Sequence, residues 1–131
     1  MAHSRTLAVP LYPVRVHIVI GNQKEAIEYL KTKKLPEAYK DVNLEDFHKA
    51  YAVTYPINSS KKGDVLVVFN PKRKGHKKMD VLAHELIHVT MFIFHYIGTD
   101  MNDHTEEPFC YLFDNLFSRV KKILDEFDST K

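Results

Sequence analysis

The chain has 131 residues, 44% hydrophobic and 27% charged, with 19 basic against 17 acidic side chains and a formal net charge of +2. That length fits a single domain over 1–131, and the composition excludes global disorder. Near-neutral charge points to no nucleic-acid partner, and the lone Cys110 excludes both an intramolecular disulfide and a Cys-rich zinc site.

The N-terminal stretch "MAHSRTLAVPLYPVRV" is interrupted by Pro10 and Pro13 and lacks the apolar core of a secretory signal. No segment approaches the roughly 18–20 apolar residues of a membrane span. The expectation is a cytoplasmic protein without a membrane partner. "VRVHIVI" (14–20) alternates Val14, Val16, Ile18 and Ile20 with Arg15, His17 and Val19, which predicts a half-buried strand. Gly21 ends it. Asn22 is positioned to cap a helix through "QKEAIEYLKTKK", with Ala26, Ile27 and Leu30 as its apolar stripe. "LPEAYKDVN" is read as irregular, and "NLEDFHKAY" as a short helical turn capped by Asn43.

"AYAVTY" (50–55) and "DVLVVFN" (64–70), joined by the turn-rich "PINSSKKG", predict a hairpin that Pro71 terminates. The basic runs "KTKK" (31–34) and "PKRKGHKK" (71–78) are read as solvated loops, with nucleic-acid contact the weaker alternative. From Lys77 to Ile97 the apolar positions recur every three or four residues, and Gly98 caps this helix. A last helix spans about 105–127, its apolar face running from Phe109 to Phe127.

The long helix contains "HELIH" (84–88). Residues four apart on a helix differ by about 40° in direction and about 6 Å along the axis, so His84 and His88 can address one point. Two neutral imidazoles are ready zinc ligands. Glu85 borders the same point, placed to take a proton from a water that zinc acidifies to a pKa of about 7. Shuffling a chain with eight His and eight Glu yields this pattern only about 0.03 times. The opposing interpretation is an inert histidine pair on a helix face.

A catalytic zinc needs a third protein ligand and one open position. His95 lies about 10 Å further along the same helix and is too far. The metzincin pattern fails because Met91 and Phe94 stand where it requires Gly and His. His104, Glu106 and Glu107, at the start of the last helix, remain as candidates.

"HELIH" followed after eighteen residues by Glu107 resembles the gluzincin zinc peptidases. The context "EEPFCYLFDNL" is similar to small phage-type proteins of this pattern. The resemblance covers about residues 81–116 in its motifs. It implies a zincin-like fold, His84, His88 and Glu107 as zinc ligands, and Glu85 as general base. Unlike the larger gluzincins, the chain carries no additional domain to wall a substrate cleft. Spacing favours Glu107 as the ligand, with Glu106 as a capping or solvent-facing residue in the helix's first turn.

Tyr111, four after Glu107, is a candidate donor to a developing oxyanion, or else a packing residue. His104 and His76 are weaker donors. Asp80 is a candidate second carboxylate behind an imidazole, with a helix-terminus role as its simpler explanation. Cys110 is expected to be small and buried. The expectation is therefore an α+β, zincin-like domain with a small three-stranded sheet, the HELIH helix and a C-terminal glutamate-bearing helix, with the metal between those two helices. Its function would be zinc-dependent hydrolysis of a peptide or protein substrate, which would add as a strand to a free "DVLVVFN" edge. The alternative is an inactive metal-binding protein that engages a phage or host partner.

Overall fold

In the computed structural model, residues 3–35, 51–57, 63–71 and 77–129 are described, with main chain only at 77 and 78. Four strands make one mixed sheet: β1 (His3–Ala8), β2 (Arg15–Ile20), β3 (Ala52–Pro56) and β4 (Asp64–Phe69), in the order β1-β2-β4-β3. β1 and β2 are antiparallel, β2 and β4 parallel, β3 and β4 antiparallel. Helix α1 (Gln23–Thr32) packs on one face. Helices α2 (Lys77–Tyr96) and α3 (Glu106–Ser129) pack on the other, making an α+β architecture.

Three expectations are corrected. The sheet has four strands rather than three, because "HSRTLA" forms β1. It is an edge strand with Arg5 and Thr6 exposed, so it shows no clean alternation. Pro10 and Pro13 lie beyond its end and shape the turn into β2, where the Tyr12 N–H donates to the Val9 carbonyl at 3.3 Å. Pro10 takes the second turn position and Leu11, at φ 69°, the third, the pattern of a type II turn. Second, β4 is not a free edge: it lies between β2 and β3, every residue buried, and the edge on that side is β3. Third, β2 is buried on both faces rather than one. Val16, Ile18 and Ile20 meet α2 and α3, while Val19 meets α1.

The helix ends follow local chemistry. The Asn22 side chain accepts from the Glu25 N–H at 2.8 Å and Glu25 accepts from the Asn22 N–H at 3.0 Å, a complete capping box. α2 ends as the glycine predicts: Gly98 at φ 76° donates to His95 and Thr99 to Phe94, the paired bonds of a Schellman motif. Gly63 is required for a different reason. At φ 67° its absent Cβ would lie 2.8 Å from the Tyr96 ring and 2.9 Å from the Pro13 carbonyl, so β4 enters between α2 and the β1–β2 turn only as glycine. The turn expected at "NLEDFHKAY" falls on 43–50, outside the described residues, apart from Tyr51; so does most of "PKRKGHKK". Lys31, Lys33 and Lys34 are exposed, as expected of "KTKK".

On the α1 face a polar chain crosses four elements. Arg15 holds the buried Asp64 carboxylate at 2.9 and 3.2 Å, and His17 Nε2 donates to it at 2.7 Å. His17 Nδ1 then accepts from the Tyr29 hydroxyl at 2.8 Å, and Tyr29 OH bonds Thr6 Oγ1. The carboxylate can only accept, and that requirement fixes the donor direction and the imidazole tautomer. Burial lowers the His17 pKa below its ordinary 6.5, opposed by the hydrogen bond and charge of Asp64 and reinforced by the charges of Arg15 and Lys33. Burial also raises the Tyr29 pKa.

A lowered native pKa means that the unfolded chain binds the proton first as pH falls. The contribution of neutral His17 is therefore complete above about pH 6.5 and is lost on acidification, at up to about 1.4 kcal/mol per pH unit. Urea denaturation from pH 8 to pH 5 should show the stability margin of wild type over His17→Gln shrinking below about pH 6.5. Parallel curves would show that His17 carries no such linkage.

Candidate metal centre

Leu82, Leu86, Val89 and Ile93 form the stripe that α2 buries against the sheet and α3. That stripe sets where the polar residues of "HELIH" go. Glu85 stands beside it, three after Leu82 and four before Val89, and is drawn inward to 6% exposure. His84 and His88 sit at the solvent margin, the His84 side chain 69% exposed. Ile87 and Met91 share their outward face and are each 49% exposed.

The two imidazoles meet edge to face, with Nε2 atoms 3.2 Å apart. Zn–N bonds of about 2.0–2.1 Å at a tetrahedral angle would set two ligand nitrogens about 3.3–3.4 Å apart. The pair therefore has the span of one edge of a zinc tetrahedron. The same distance also suits an N–H···N hydrogen bond between a donor and an acceptor imidazole.

Glu85 divides its carboxylate between two environments. Oε1 accepts from the Thr54 hydroxyl of β3 at 2.7 Å, and Oε2 lies 3.8 Å from His84 Nε2. A buried carboxylate with one oxygen tied to the sheet and the other turned toward an imidazole pair can hold a proton from a polarised water and release it again. Thr54 gave no signal in the sequence, since threonine in a strand is ordinary and its contact is non-local.

No third candidate ligand is gathered with this pair among the described residues. Among the described residues, no group of three or more His, Cys, Asp or Glu side chains is arranged to hold a metal ion. Glu107 and Glu106 are exposed in the first turn of α3. That turn is seated against the end of α2: Phe109 packs T-shaped on Phe94, ring centroids 5.4 Å apart. Phe94 lies six residues past His88, about 9 Å along the axis, because α2 continues well beyond the motif. A Glu107 ligand therefore requires α3 to approach closer or the side chain to reach back along α2.

The remaining candidates are dispersed. Tyr111 is 70% exposed and lines an open groove of about 370 Å³ with Pro10, Leu11, Tyr12, Pro108, Leu112 and Asn115. His104 is exposed, its main-chain N–H donating to the Asn102 side chain at 2.8 Å. Asp80 and His95 are exposed on α2, and His76 lies outside the described residues. Cys110 is exposed, not buried as expected, because it faces away from the Phe109–Leu112–Phe113 side that α3 packs inward. No helix among the described residues is long and apolar enough to cross a membrane. Comparison of the chain with protein-family models, with curated proteins and with solved structures finds no match.

Proposed function

We propose that the protein is a zincin-like, zinc-dependent hydrolase of peptide bonds. The observation that carries this reading is the buried Glu85 carboxylate, 3.8 Å from His84 Nε2, which with His88 Nε2 is spaced like the edge of a zinc tetrahedron. A bound zinc would supply Lewis acidity, polarising a water and the substrate carbonyl. His84 and His88 would hold it, with Glu107 as the third ligand that the resemblance implies. Glu85 accepts the proton of the attacking water and passes it to the leaving amine. Tyr111 would be the donor to the oxyanion. The substrate is a peptide or protein, and the protein acts in the cytoplasm.

The ligand set is tested by metal content and zinc titration on protein prepared without a histidine tag. Wild type is expected to hold about one zinc per chain. Loss of groups that merely support a ligand costs about 10–100-fold in affinity, so His88→Ala and Glu107→Ala should each cost about 100-fold or more. Unchanged affinity in Glu107→Ala would remove it from the set. No zinc in wild type after reconstitution would end the hydrolase reading.

A second reading, an inactive metal-binding protein that engages a phage or host partner, draws support from the apolar Ile87 and Met91 exposed beside the histidines. Zinc binding without hydrolysis of any peptide substrate would favour it.

A further inference from the structure

We infer that Thr54 is the positioning residue for the base Glu85, an assignment that rests on the hydrolase reading. Its hydroxyl lies 2.7 Å from Glu85 Oε1 and 3.5 Å from the Glu85 main-chain oxygen, so its single proton goes to the carboxylate. With Oε1 occupied by a donor, Oε2 is left as the oxygen available toward the imidazole pair, 3.8 Å from His84 Nε2.

The donor is unusually well fixed for a hydroxyl. Threonine is stiff at χ1, and Thr54 sits in the middle of β3, opposite Val67 in an antiparallel ladder. Glu85, by contrast, has three side-chain torsions and sits on a different element, the helix. A carboxylate that must meet a water at one place loses rate when it samples several orientations. The bond from strand to helix removes that freedom. It also ties the base to β3, so the distance from the outer edge of the sheet to Oε2 is set by one contact rather than by helix packing alone. Valine at this position would keep the shape and strand preference of threonine while deleting the donor; serine would keep the donor and delete the methyl.

The test uses the full chain as wild type, Thr54→Val and Thr54→Ser, with two independent readouts. Zinc titration and casein hydrolysis give affinity, kcat and KM; crystals of the metal-free proteins give the Glu85 orientation. Zinc affinity should stay within about twofold across the three, because Thr54 supports no ligand. In Thr54→Val, kcat should fall about 10- to 100-fold with KM nearly unchanged, and Thr54→Ser should recover most of it. The metal-free Thr54→Val crystals should show the Glu85 carboxylate displaced or in several positions, and those of Thr54→Ser a single one. Full kcat in Thr54→Val, equal losses in both variants, or an unmoved Glu85 in the Thr54→Val crystals would each overturn the assignment. Failure of the underlying reading appears differently: wild type itself would hold no zinc or leave casein intact, whatever the Glu85 orientation in the crystals, and the positioning role would fall with the reaction.

Discussion

Glu85→Gln should abolish hydrolysis while leaving the metal site standing. The amide has the size of the carboxylate, and the Thr54 hydroxyl can still donate to its carbonyl oxygen, so α2 should dock on β3 as before. Zinc affinity should be unchanged within about twofold, since Glu85 ligates nothing. What disappears is the ability to take a proton. General-base contributions of about 10²–10⁴ set the expected fall in kcat. The decisive comparison is with His88→Ala, which should lose zinc and hydrolysis together, whereas Glu85→Gln should lose hydrolysis alone. A Glu85→Gln protein that hydrolyses casein at the wild-type rate would place the base elsewhere. One that loses zinc would mean that Glu85 serves the pair as a ligand or a support.

The parts of this molecule that the sequence reveals are those whose causes are local. The i, i+4 spacing of His84 and His88 is a property of one helix, and so are the Asn22 cap and the Gly98 terminus; all three are present as read, and Glu25 completes the Asn22 cap into a capping box. Strand order is not local. Peptide docking on "DVLVVF" needs that strand at a free edge, yet five apolar residues in succession are the mark of a strand covered on both faces, as parallel pairing with β2 makes it. "HSRTLA" carried no such mark, because an edge strand needs only one apolar side and here uses little more than Leu7. The site divides in the same way. The histidine pair and Glu85 were visible together in five residues, whereas Thr54 reaches Glu85 across 31 positions of sequence. The relation of Glu107 to the pair depends on where α2 stops, and the helix runs eight residues past His88 before it does.

His17 shows the same limit with a larger consequence. In the sequence it is one of the polar positions in an alternating strand; in the fold it is wholly buried and bonded on both nitrogens. Every hydroxyl and N–H in its chain points toward Asp64, which is fully buried at the start of β4 and receives His17 Nε2–H and two guanidinium contacts from Arg15. Asp64→Ala removes the acceptor on which the chain converges. It leaves a buried imidazole N–H unsatisfied and the Arg15 charge unpaired between β2 and β4. Breaking a buried charge pair by removing one partner costs about 3–5 kcal/mol. The Arg15 side chain is 41% exposed and can turn to water, so about 3 kcal/mol, the low end, is expected. Urea denaturation at pH 8, where His17 is neutral in both states, measures this without a protonation difference. Asp64→Asn, which keeps an oxygen for His17 but turns an amide toward Arg15, should fall between Asp64→Ala and wild type. A loss under about 1 kcal/mol in Asp64→Ala would mean that water or main chain replaces the carboxylate at little cost, and that apolar packing between β2, β4 and α1 holds this face together without it.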